Sequence, residues 1–463
     1  MDKSTEALAA YADKLRFEDI PQDVLHSAKC KLIDALGCAM GGYDTGLCRI
    51  ARAMASASTG RPAARVLGSQ TPTTPQMAAF ANGTMVHALD FNDVYMSQST
   101  CHPSDAVSGI LATADALGAN GKSLLVATIL SYEISCNFAD AMPREQGIDN
   151  TFYCLVGSAV ASAKLMGLDF ARLLNTIALA IVPNVALEQT RTGALSMWKN
   201  GAGANAARNA VFAAEAARAG ITGPDAPIEG KWGLWNAGQP FEWAPFGGHG
   251  APYRIAQTNL KRFPAVAHGQ SPITAALQLR DQLRVEDIDA ISIDSYWVAR
   301  RFEDPRSPLW TPATHEAAGN SIPYLVAVAL AHGDVTEQSF VAERLADPVL
   351  KALVGKTSIR EDPSFNASYP QEWPCRIEIT LKSGARRVAE TRYFKGHTKA
   401  PLSDSEVEAK FRQLAGPVLA EADIREILAR LWELQAVADI RTVLRLFATS
   451  HCPDDAREES ARA

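Results

Sequence analysis

The chain has 463 residues, with 45 Lys+Arg against 51 Asp+Glu, a net charge of −6, and 47% hydrophobic against 21% charged residues. That balance belongs to a globular protein and excludes disordered, collagen-like and low-complexity chains. At roughly 150 residues per domain the length suggests two or three units, and the negative charge gives no general field for nucleic acid or anionic lipid.

No segment reaches the roughly 18 continuous apolar residues of a membrane span; the nearest, Thr176 to Leu187, carries Pro183 and Asn184. The first residues mix charge with Ala and contain no apolar run of the signal-peptide kind. The eight cysteines (Cys30, Cys38, Cys48, Cys101, Cys136, Cys154, Cys375 and Cys452) contain no C-x-x-C pair. They are expected to be reduced thiols in a cytoplasmic protein, with no disulfide framework and no Cys-rich metal site.

In chain order, helical periods cover 23–40, 74–89, 104–117, 122–139, 155–166, 170–187 and 203–219, rich in Ala. Gly167 reads as a stop, and Ser104 and Asp169 as caps. The segment 243–254 (WAPFGGHGAPYR) is a Gly/Pro-rich boundary. Beyond it, IDAISIDSYWVA has a strand period, CRIEITLKSGARRVAETRYF reads as a hairpin with a Ser-Gly turn, and helices are predicted at 268–281 and 320–333. From Ser403 the helical period returns, and the charged tail after His451 is expected to fray. The fold class expected is therefore mainly α with an α+β second domain. A large helical domain (1–261 and 403–455) is interrupted by a smaller α+β domain (262–402), with a cleft between them for a small ligand.

Four segments carry candidate chemistry. Residues 87–105 form a polar loop with Asp90, Asp93, Tyr95 and His102; an active-site loop and simple helix capping are equally good readings of it. No second His stands at ligand spacing, so a metal is not expected. In 191–217, Arg191, Lys199 and Asn200 precede a Gly-Ala-Gly turn and a long helix, an arrangement suited to a carboxylate or phosphate. The same glycines would also permit close helix packing. Lys261, Arg262 and His268 cluster near the expected domain boundary, and Tyr324 occupies the first turn of an apolar helix. Several cations with a few acids suit proton removal α to a carboxylate. That chemistry needs cations to stabilise the resulting anion, and a positioned base and acid.

The runs DVYMSQSTCHPSD, GALSMWKNGAGANAARNAVFAA, ITGP and KRFPAVAHGQS resemble the MmgE/PrpD family over nearly the whole chain, nearest its 2-methylcitrate dehydratase branch. The resemblance implies a helical domain with an α+β lid, a homodimer, and no metal or cofactor. It implies catalytic roles for Asp90 (in the HxxDF segment), His102 (HPS), Lys199 (before the Gly-rich stretch), Lys261 (KxxP), His268 and Tyr324 (SxxY). Two departures stand out. Many dehydratase-branch members have histidines where this chain has Asn150 and Asn320, and Asn cannot titrate. Arg191, Asn150 and Asn320 are then candidate substrate-binding groups, while Asp93, Tyr95 and Tyr153 have no assigned role.

The expected activity is that of a cofactor-independent hydro-lyase on a 2-methylcitrate-like hydroxy-polycarboxylate. The alternatives are an epimerase, isomerase or decarboxylase of a related di- or tricarboxylate, and a non-catalytic carboxylate-binding protein. No nucleic acid or membrane is expected as a partner.

Overall fold

The computed structural model describes residues 1–69, 72–143, 147–192 and 195–449. The tail after His451 lies outside them. Contacts divide the chain into two units: one of residues 1–88, 92–258 and 403 onward, and one of residues 89–91 and 259–402. The second unit thus begins at Asn259 and takes in the three-residue segment around Asp90. No helix among the described residues is long and apolar enough to cross a membrane.

The first unit is helical: α1 (Lys3–Lys14), α2 (Gln22–Gly41), α3 (Gly46–Ser56), α4 (Pro75–His87), α5 (Val107–Leu117), α6 (Gly121–Ala141), α7 (Thr151–Leu165), α8 (Phe170–Ile181) and α9 (Trp198–Arg218), followed after the second unit by helices Asp404–Ala415 and Glu421–Trp432. Helix α7 is buried all round from Thr151 to Ala163 and packs on α6, α8 and α9, which is why its apolar residues are not confined to one stripe. Small residues set the helix spacing. A Cβ on Gly83 of α4 would come within 2.8 Å of Ala204 Cα in α9, so only glycine permits this approach.

The Gly/Pro-rich segment 243–254 is tied down within this unit. Glu133 accepts from Gly247 N at 3.0 Å and pairs with Arg254, which also reaches Asp140 at 2.7 Å. Tyr11 stacks on Phe246. At the return to helix, Ser403 and Glu406 form a reciprocal capping box, and Lys410 pairs with buried Asp34 at 2.6 Å.

Three local expectations are corrected. The helix from 170 ends at Ile181, not 187: Pro183 supplies no donor, and Asn184 Nδ2 takes the carbonyls of Leu179 and Ala180. Ser104 caps nothing. It lies inside a 3₁₀ turn, Pro103–Ala106, that precedes α5, and its hydroxyl goes to Asp93. The Gly-Ala-Gly stretch is not a turn, because α9 already starts at Trp198.

In the second unit a four-stranded sheet runs in the order 357–361, 288–295, 375–381, 386–391. The first pair is parallel (Ile293↔Ile359) and the other two antiparallel (Ile293↔Ile377, Ile377↔Ala389). Cys375, Ile377 and Ile379 alternate into the buried face, against helix Gln270–Arg280. The hairpin turn is closed by Gly384 at φ +83°, a left-handed conformation that favours glycine. Strand Thr357–Glu361 escapes sequence reading, since as a short edge strand with Arg360 and Glu361 it buries no alternating apolar set.

Candidate functional site

In the first unit, α4 ends at His87 and the chain runs through a short hairpin (Tyr95–Met96 with Thr100–Cys101) to His102. His102 is buried, and its Nδ1 lies 2.7 Å from the backbone carbonyl of Asp93. A carbonyl only accepts, so Nδ1 carries a proton, and whenever the ring is neutral its lone pair is on Nε2. The Asp93 carboxylate is itself fixed: Oδ1 accepts from Ser104 N (3.0 Å) and Oγ (2.6 Å), and Oδ2 from Tyr132 OH (2.7 Å). Burial pushes the Asp93 carboxyl up, against those bonds and the nearby Lys31.

Asp105 forms a second buried centre. It accepts from Asn92 Nδ2 at 3.0 Å and pairs with His87 Nδ1 at 2.9 Å; the His87 ring stands edge-on to His102, with centroids 5.5 Å apart. Burial raises the Asp105 carboxyl. The attraction and hydrogen bond of His87, with the positive fields of His102 and Arg191, outweigh that and hold it below the usual range. Its Oδ2 lies where a Cβ on Gly203 would sit, 2.6 Å away, so the glycine of the Gly-Ala-Gly stretch makes room for this carboxylate against α9.

Arg191 donates through Nε to Asp149 Oδ2 at 2.8 Å and through Nη2 to Asn150 Oδ1 at 3.0 Å. The Asp149 charge keeps the guanidinium protonated despite burial. Lys199 is buried in the first turn of α9. That places its side chain at the positive end of the helix dipole.

In the second unit, Asp90 adopts a left-handed backbone (φ +49°), which Asp tolerates better than most residues. The fully buried Lys261 ammonium reaches its carbonyl at 2.7 Å and its Oδ1 at 2.5 Å. His268 Nδ1 is 2.5 Å from Tyr296 OH, and its ring is walled by Tyr296, Trp297, Tyr369 and Trp373. Burial holds the Tyr296 phenol well above its ordinary range. Tyr324 donates to the Ser339 carbonyl at 2.6 Å, and burial raises it to about 12. It lines a cavity of about 1060 Å³ with Phe302, Trp310, Leu345, Lys351 and Ile359, and neither Asp90, Lys261 nor His268 is on that wall. Asn320 Nδ2 caps the short helix His315–Gly319 through the Glu316 carbonyl.

The structure therefore joins Asp90 to Lys261 and Arg191 to Asn150, and supports His102 and His268 each with a hydrogen bond at Nδ1. Sequence reasoning named Asp93 without giving it a role, and passed over Asp105, His87, Tyr132 and Tyr296. The one available signal was the crowding of Asp93 and Asp105 around His102, since two acids so near a helix start are seldom both solvated.

The MmgE/PrpD N-terminal domain matches residues 6–240, and the MmgE/PrpD C-terminal domain residues 263–434. A 2-methylcitrate dehydratase of Cupriavidus necator is 32% identical over 370 residues, covering 74% of this chain and 74% of its own. That of Escherichia coli (strain K12) is 30% identical over 379 residues, covering 76% and 77%. A cis-aconitate decarboxylase of Mus musculus is 24% identical over 487 residues, covering 99% and 96%. With both domains matched over most of its length, the chain belongs to the MmgE/PrpD family.

Proposed function

We propose that this protein is a lyase that dehydrates a 2-methylcitrate-like hydroxy-polycarboxylate, by removing a proton α to a carboxylate and expelling hydroxide. The observation that carries the reading is the His102–Asp93 bond, which fixes the tautomer a general base requires. His102 takes the proton at Nε2. Lys199 binds a substrate carboxylate and stabilises the charge that spreads onto it. Arg191 Nη1, which takes no part in the bonds to Asp149 and Asn150, offers a second carboxylate contact. Lys261 orients Asp90 towards a substrate hydroxyl.

For the departing hydroxide, His268 is the better acid of the two candidates. In the protonated ring Nδ1 donates to the Tyr296 oxygen, which leaves the Nε2 proton to pass to the departing hydroxide and the ring neutral afterwards. The Tyr324 hydroxyl would first have to leave Ser339. Every proton and charge in this scheme is handled by protein groups, so it calls on no cofactor. We also propose a homodimer, supported by exposed Trp198 and Phe212, fourteen residues apart along α9 and so near one line on its surface, with Leu187 and Met197 exposed beside its start.

The test is incubation with 2-methylcitrate, citrate and cis-aconitate in D₂O, followed by proton NMR. An olefinic product from either citrate supports the dehydratase. A second reading, an epimerase or decarboxylase, is favoured by Asn150 binding Arg191 where many dehydratase-branch relatives carry a histidine. It predicts deuterium at a substrate carbon, or a lost carboxylate, without an olefin from the citrates. Tight binding of all three without turnover would instead mark a carboxylate-binding protein.

A further inference from the structure

Among the described residues, one set of three metal-ligating side chains falls together away from the candidate site: His26 and Cys30 of α2, and Asp404 at the start of helix Asp404–Ala415. Their ligand atoms all lie within 4.8 Å of one another. His26 and Cys30 stand four residues apart and so share one face of α2, the face against which the second helix packs.

We propose that His26, Cys30 and Asp404 form a surface site for a borderline divalent cation such as Zn²⁺. The donor set of one imidazole, one thiolate and one carboxylate is a zinc set, and too soft for Mg²⁺ or Ca²⁺. Tetrahedral Zn²⁺ places its ligands roughly 3.3–3.7 Å apart. His26 Nε2 and Asp404 Oδ1 are 2.9 Å apart, so the cluster needs side-chain adjustments of about an ångström, and both side chains are about half exposed and able to make them. The fourth position is left to water.

The support behind the ligands is already in place. The His26 ring stacks on Trp432 at 15° with centroids 5.3 Å apart, and Trp432 is held by its Nε1 bond to Glu408 at 2.8 Å. Such outer partners orient a ligating imidazole. Cys30 would bind as the thiolate, giving up its proton to solvent as the ion enters. The ion would clamp α2 to the segment that follows the second unit.

The experiment is calorimetric titration of the full chain with Zn²⁺ alone, for the parent and for Cys30→Ser, His26→Gln and Trp432→Phe, each checked for native circular dichroism. The expected result is one ion bound by the parent, binding weakened at least about tenfold in Cys30→Ser and His26→Gln, and a smaller loss in Trp432→Phe. Co²⁺ should give a thiolate charge-transfer band that Cys30→Ser abolishes, and Zn²⁺ should raise the unfolding midpoint of the parent only. No binding by the parent, or equal binding by parent and Cys30→Ser, overturns the proposal.

Discussion

The Nδ1 atom of His102 is bonded at 2.7 Å to the main-chain carbonyl of Asp93, while the Asp93 side chain is held by Ser104 and Tyr132. The carboxylate thus fixes the backbone that fixes the ring. In His102→Asn the amide cannot abstract a proton, and kcat should fall about 10²–10⁴-fold with folding intact. Tyr132→Phe removes one bond to Asp93 and should cost about 1–3 kcal/mol of stability with a smaller loss of kcat. Turnover of His102→Asn within tenfold of the parent would remove His102 from the mechanism.

Lys261 and Asp90 should behave as a coupled pair. Lys261→Met leaves Asp90 without its cation, and Asp90→Asn leaves an ammonium buried without its counter-charge; each should destabilise by about 3–5 kcal/mol. The double variant should lose clearly less than the two together. Additive losses in urea denaturation would show that the pair is not coupled.

Gly203→Ala puts a methyl group where Asp105 Oδ2 lies. Displacing that carboxylate also disturbs His87, its partner. The expected cost is about 1–3 kcal/mol, with a drop in kcat at unchanged secondary structure. The control is Gly220→Ala at the end of α9, where the added Cβ meets nothing within 4 Å; its cost comes from backbone strain at φ +99° and should leave kcat alone.

His397 supplies a pH dependence. Its Nδ1 accepts from Lys399 N at 3.0 Å, which requires the neutral ring, and burial together with the Lys399 charge lowers its pKa to about 4, against a weaker opposing pull from Glu372. The unfolded histidine titrates near 6.5, so between the two values the unfolded chain binds a proton that the folded one refuses. Stability should therefore fall as pH drops from about 6.5 to about 4, by at most about 3 kcal/mol, and this part should vanish in His397→Gln. Parallel stability curves for parent and variant across that window would contradict it.

Most of the long helices and the hairpin at 375–391 were legible because each rests on local periodicity or turn chemistry, which neighbouring residues dictate. Strand Thr357–Glu361 was not, because its place beside Ile288–Ser295 comes from pairing across the fold rather than from its own pattern. The same division runs through the candidate site. His102, Lys199 and Lys261 could be picked out as charged or titratable groups in unusual settings, but their partners could not.

By itself the sequence determined a mainly helical chain with an inserted α+β segment, a family resemblance, and a set of acids, cations and histidines fit for carboxylate chemistry. Only the tertiary structure decided which of these meet. It brought Lys261 to Asp90 across 171 residues of chain, tied Arg191 to Asp149 and Asn150, and set Asp105 against Gly203. The physical reason is that secondary structure follows from contacts a few residues apart. The environment of a buried charge depends instead on which distant element covers it and what that element offers as a partner.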